Sequence, residues 1–134
     1  MNNPPFLDLV PMLMCEDVQA SIRFYTEILG FEVTGRMDDV GATGFASLRN
    51  GKAAVMLASP TYIPQGKKVD GCFPQSNYYF YVADAEGLRQ SVVDKGWKAT
   101  ECVDRFYDIK EFELVDPDGH VLVFGQDITP GPGR

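Results

Sequence analysis

The sequence predicts an α+β fold made of two copies of one strand–helix–three-strand module, and three recurrences predict it. A helix-capping aspartate returns after 67 residues, as Asp17 and Asp84. A helix-stopping glycine returns after 66, as Gly30 and Gly96. A hairpin glycine returns after 68, as Gly51 and Gly119. Three matches in the same order mark a duplication. Neither half can bury both faces of so small a sheet alone, so the two must share a core.

Each element follows from local chemistry. Phe6 to Cys15 is an apolar run and predicts a buried strand. The Asp17 carboxylate can accept unpaired N–H groups of a first helical turn. Val18, Ile22, Tyr25 and Ile28-Leu29 then recur at helical spacing up to Gly30, which suits the left-handed end of a helix. A second strand begins over Phe31–Val33. Phe45–Leu48 and Ala53–Leu57 flank Arg49-Asn50-Gly51-Lys52 and predict a hairpin turning on Asn-Gly. In the second half, Asn77–Val82 predicts a strand, Asp84 caps a helix ending near Lys95, and Trp97–Val103 is strand-like. Phe112–Val115 and Val121–Phe124 pair across Asp116-Pro117-Asp118-Gly119, where proline presets one turn angle and glycine takes the positive one. The whole chain, 1–134, thus forms a single domain of two repeats. It divides into a first module over 6–58, a proline- and glycine-bearing linker over 59–75, a second module over 76–126 and a tail over 127–134.

Composition narrows the function. In 134 residues, 45% hydrophobic, there is enough apolar material for one core. The formal charge of −7 repels phosphate backbones, which argues against a nucleic-acid partner. Three dispersed cysteines, Cys15, Cys72 and Cys102, form no C-x-x-C pair, and none has basic neighbours that would stabilise a thiolate. No signal-like or membrane-spanning stretch is visible, so a cytoplasmic protein without a membrane partner is expected.

Two stretches carry a family resemblance. One is Asp17-Val18-Gln19-Ala20-Ser21-Ile22-Arg23-Phe24-Tyr25, running on to Leu29-Gly30-Phe31; the other is Phe112-Glu113-Leu114-Val115-Asp116-Pro117-Asp118-Gly119-His120. With the repeated element order, they resemble the vicinal oxygen chelate superfamily of glyoxalase I, ring-cleaving dioxygenases, fosfomycin resistance enzymes and bleomycin resistance proteins. The resemblance implies a curved, incomplete eight-stranded barrel. It also implies a homodimer with clefts between subunits, because similar small members usually pair that way.

In metal-using relatives the chelating side chains lie on the first and last strand of each module. Counting from the capping Asp and the hairpin Gly, the equivalent positions here are Val10, Val55, Asn77 and Val123. Three isopropyl groups offer no lone pair, and one neutral carboxamide cannot hold a catalytic ion alone. A register one residue off would substitute Pro11, Met56, Tyr78 and Phe124, which is no better. The expectation is therefore no metal, no cofactor and no catalytic residue.

The remaining candidates form a ligand cleft. In Asn77-Tyr78-Tyr79-Phe80-Tyr81, alternation sets Asn77, Tyr79 and Tyr81 on one side and Tyr78 and Phe80 on the other. Asn77 and Tyr79 are the cleft candidates, tyrosine suiting planar ligands. Glu111 and Glu113 share a face opposite Phe112 and Leu114. Either that face is solvated, or it lines the cleft and holds a cationic or hydrogen-bonding ligand; the triplet Lys110-Glu111-Phe112 is similar to one in related proteins. Phe45, Trp97, Arg105 and Tyr107 are further candidates for the walls and mouth, Trp97 being equally a core residue by position. The leading expectation is a metal-free protein resembling the bleomycin resistance group, sequestering a small aromatic or cationic molecule. The alternative is a metal-dependent enzyme of glyoxalase or dioxygenase type with ligands such as His120, Glu111 or Glu113. A third reading is a structural module whose cleft is filled by Met12, Met14 and the aromatics.

Overall fold

A computed structural model describes residues 6–38, 44–59 and 76–131. The predicted linker over 59–75 lies outside the described residues, apart from Ser59, as do Cys72 and the last three residues of the tail.

The first module holds β1 (Met12–Met14), α1 (Val18–Arg23), β2 (Glu32–Asp38), β3 (Gly44–Asn50) and β4 (Ala53–Ala58). The second holds β5 (Asn77–Tyr81), α2 (Ala85–Asp94), β6 (Val103–Asp104), β7 (Ile109–Val115) and β8 (Val121–Asp127). The duplication is visible in the sheets, ordered β1-β4-β3-β2 and β5-β8-β7-β6, with the first strand of each parallel to the last. Together they make a curved, incomplete barrel.

Both helices begin as expected. The Asp17 carboxylate accepts from Ala20 N, and that of Asp84 from Gly87 N. Beyond Arg23 the first helix widens into a π-turn over Phe24–Ile28. Phe24 and Tyr25 are both buried there despite being consecutive. Phe24 packs on Trp97 at 4.6 Å and Tyr25 meets Phe31 edge-on.

One core serves both halves: Leu13, Leu48, Val55 and Leu57 of the first sheet belong to the same cluster as Phe112, Leu114, Leu122 and Phe124 of the second. A polar latch, buried at Tyr25 and Asp116, fastens the halves further. The Tyr25 hydroxyl donates to Asp116 Oδ2 at 2.8 Å, the Ser21 hydroxyl to Asp118 Oδ2 at 2.8 Å, and Glu16 N to Asp118 Oδ1 at 2.9 Å. His120 Nε2 lies 2.9 Å from Met14 O. The Asp-Pro-Asp-Gly turn therefore does more than reverse the chain. It plugs the start of α1 into the second module.

The structure corrects four sequence expectations. Phe6, Leu7 and Leu9 are exposed rather than part of a buried strand; β1 starts only at Met12, where β4 offers a partner. The first hairpin turns on Gly51-Lys52, with Asn50 still paired to Ala53. Most of Trp97–Cys102 stays outside the ladder, although Thr100 N donates to Glu113 O at 2.9 Å. Finally, β8 runs to Asp127, one residue into the predicted tail.

Candidate functional site

Each sheet has a helical face and an open face, and alternation assigns the side chains. In the second sheet Tyr78, Phe80, Phe112, Leu114, Leu122 and Phe124 pack into or against the core. Asn77, Tyr79, Tyr81, Glu111, Glu113 and Val123 take the opposite face, in rows fixed by register: Tyr79–Val123–Glu113 and Tyr81–Gly125–Glu111.

On that face Glu111 is the focal group. Tyr79 Oη donates to its Oε2 at 2.7 Å, while Tyr107 Oη and Arg105 Nε donate to its Oε1 at 2.8 and 3.0 Å. Glu111 is only 9% exposed. Burial pushes its carboxyl upward, but the bonds from Tyr79, Tyr107 and Arg105 outweigh burial and hold it below the ordinary value. Burial, the bond to Glu111 and its charge together raise the Tyr79 hydroxyl, so it remains a proton donor. Both tyrosines stay neutral and oriented.

Local structure builds this clasp. Tyr79 stands one row away from Glu111 and reaches it diagonally across Gly125. A β-carbon at Gly125 would lie 2.8 Å from Tyr79 Cζ and 2.9 Å from Ile109 Cγ2, and would also strike the Tyr79 hydroxyl. Arg105 and Tyr107 come from a tight turn between β6 and β7, in which Asp108 N donates to Arg105 O at 3.1 Å and Asp108 takes φ +62°. Lys110 Nζ pairs with Asp104 at 2.8 Å and braces the same turn.

Glu113 plays a different part. It is exposed, and among the described residues its carboxylate has no hydrogen-bond or ion-pair partner. It lines a 120 Å³ hollow with Thr100, Val103, Arg105, Glu111 and Val123. It also lines a 580 Å³ groove whose apolar walls are Trp97, Ala99, Leu114 and Val115. The two meet at Glu113 and Thr100.

Of the sequence-predicted residues, the structure joins Tyr79, Arg105, Tyr107 and Glu111 in one clasp, with Glu113 on the same face. Asn77 begins β5 on that face, two residues from Tyr79. Trp97 divides itself: its ring N–H donates to Val115 O at 2.9 Å and its ring packs at a tilt against Phe24, while another part walls the groove. Phe45 lies on the other sheet, paired with Ala58. Sequence reasoning missed Gly125, whose only signal is a glycine inside an apolar strand.

The metal positions can be tested against side-chain chemistry. Val123 faces the open side, but Val55 is buried in the core. Met56, paired with Met12, takes the open position of β4, because the first hairpin has only two turn residues. Thioether and isopropyl groups do not suit a hard or borderline divalent ion. Among the described residues, no three of His, Cys, Asp and Glu stand close enough together to hold one. Of the cysteines, burial pushes the Cys15 thiol up to about 12 and the Cys102 thiol to about 11, far from nucleophilic values.

Two matched half-sheets with open faces define a class of protein found in many chemistries. The model of the Glyoxalase/Bleomycin resistance protein/Dioxygenase superfamily matches residues 9–124, and the chain belongs to that superfamily. Solved structures agree on the fold. TioX from Micromonospora sp. ML1 is 18% identical, with a TM-score of 0.73 covering 90% of this chain and 98% of that one. A lactoylglutathione lyase from Agrobacterium tumefaciens is 15% identical, with a TM-score of 0.69 over 92% and 96%. An integron cassette protein from the mobile metagenome of the Halifax Harbour sewage outfall is 24% identical, with a TM-score of 0.66 over 90% and 99%. None of the curated proteins matches the chain in sequence. No helix among the described residues is long and apolar enough to cross a membrane.

Proposed function

We propose that the protein binds a small aromatic cation without a metal, as a sequestering protein of the bleomycin resistance type, on the open face of its second sheet. The observation that carries this reading is the division of labour between the two glutamates. Glu111 is already satisfied by two hydroxyls and a guanidinium, so it orients the tyrosines rather than meeting the ligand. Glu113, a carboxylate without a partner among the described residues, stands in the same cross-strand row as Tyr79 and lines the apolar groove walled by Trp97. A planar ring on the tyrosines with its positive charge at Glu113 satisfies both features. The acidic chain favours the same charge.

The cleft is shallow in one subunit, and a homodimer supplies its other wall. Phe45 and the Met12–Met56 row on the open face of the first sheet are the surfaces the partner copy would bring.

The test is titration with a planar N-alkylated heteroaromatic cation such as N-methylquinolinium, read by Trp97 fluorescence. Saturable quenching is expected, weakened about fivefold or more in Glu113→Gln, as for loss of a partly screened charge contact. An uncharged quinoline that quenches equally well refutes the role of Glu113. The metal-dependent alternative predicts a stoichiometric transition metal in protein purified without chelators; elemental analysis is expected to find none.

A further inference from the structure

A further cavity lies on the other side of β5, where the modules join. It has a volume of 430 Å³ and is formed by Leu29 and Phe31 after the first helix, the Asn50–Ala53 turn, and Phe80, Leu88 and Phe124 of the second module. We infer that this junction cavity binds a small monoanion with an apolar body, such as a medium-chain carboxylate, its head group at Lys52.

Four observations lead there. The volume falls within the range of small-molecule sites. The apolar wall is preformed: Phe80 stacks on Phe124 at 5.2 Å and 14°, Phe124 on Phe112 at 5.1 Å and 22°, and Phe31 meets Phe80 edge-on at 6.2 Å. Rings fixed this way do not need ordering when a ligand arrives. The rim is also held. Asn50 Nδ2 donates to Leu29 O at 3.1 Å, and Gly51, at φ +60°, turns the chain so that Lys52 borders the opening. Last, Lys52 is the only charged side chain lining the cavity among the described residues. It has no ion-pair partner among the described residues. In a chain with 19 acidic and 12 basic residues, a cavity whose described lining has one cation and no carboxylate is set apart from its surroundings. An apolar body with one negative end matches it. A cationic ligand, suited to the open face, does not.

Sodium decanoate, kept below its micelle concentration, is the probe, with decylammonium as the opposite-charge control. Side-chain NMR of the full chain is expected to show saturable shifts at the Leu29 and Leu88 methyls and the Phe31 and Phe80 rings. Lys52→Glu should weaken decanoate about fivefold or more. Lys95→Glu, the same charge change on an exposed helix end away from the cavity, should leave it unchanged. The inference falls if decanoate gives no saturable shift at millimolar concentration, or if the shifts cluster at Tyr79 and Trp97 instead. It falls equally if decylammonium binds as well, or if the two lysine variants weaken binding alike. Because probe and residues differ from those of the open face, failure here leaves the reading of Glu113 untouched.

Discussion

At the scale of single residues, the arrangement turns on carboxylates that have been given partners and one that has not. Replacing Glu111 with Gln removes the charge that three donors converge on, at an expected cost of about 1–3 kcal/mol in urea unfolding. The pH dependence has a definite sign. The folded Glu111 carboxyl lies below its ordinary value of 4.5, so its contribution is fully present above that pH. The contribution is lost as pH falls through the lower, folded value. The stability gap between the parent protein and Glu111→Gln should therefore be constant near neutrality and shrink on acidification below about pH 4.5. A gap that widens on acidification contradicts the clasp. Tyr25→Phe makes a second test at this scale, since it leaves the buried Asp116 Oδ2 without its donor and should cost about 1–3 kcal/mol. Strand alternation made Tyr79 and the two glutamates legible in sequence. It did not separate a buried, saturated Glu111 from an exposed Glu113, because that distinction depends on how the turn just before β7 folds Arg105 and Tyr107 back onto Glu111, and on Tyr79 reaching it from β5.

At the scale of elements, two short features set where side chains point. The first hairpin closes in two residues, Gly51-Lys52, whereas the second spends five, Asp116 to His120. Counting forward from each hairpin glycine therefore lands on the open face at Val123 but on the helical face at Val55. Repeat arithmetic located both modules and both helices, yet a three-residue difference in turn length, being odd, inverted one side chain, as strand geometry requires. The other feature is Gly125. Its missing β-carbon leaves the diagonal path by which Tyr79 reaches Glu111. Gly125→Ala should displace Tyr79 and cost about 1–3 kcal/mol through overpacking. Its more specific signature is a Glu111 carboxyl returned toward the ordinary value, followed by NMR titration. A destabilised variant with Glu111 still depressed would show that Tyr79 is not what Gly125 accommodates.

At the scale of the whole molecule, the shared core and the Asp116–Asp118 latch join the helical faces of the modules but leave both open faces uncovered. Among exposed apolar side chains are Phe106 at 97%, Tyr81 at 79%, Val115 at 50% and Met12 at 46%. Scattered apolar residues on a surface are ordinary, but these include neighbours on one face of one sheet, beside Tyr79 and Tyr107. A second copy that brings its first sheet against this second sheet would cover them and complete two equivalent clefts by symmetry. Light scattering should then give a mass near twice the 14.9 kDa of one chain at micromolar concentration. Tyr81→Glu, which sets a charge at the uncovered centre without touching the core, should move the mass toward that of one chain. In such a dimer each cleft would take one wall from each subunit, so the same variant should weaken N-methylquinolinium binding, and raising protein concentration should restore it by mass action. Ligand affinity that stays constant while the dimer dissociates would mean that one subunit's sheet suffices as the site.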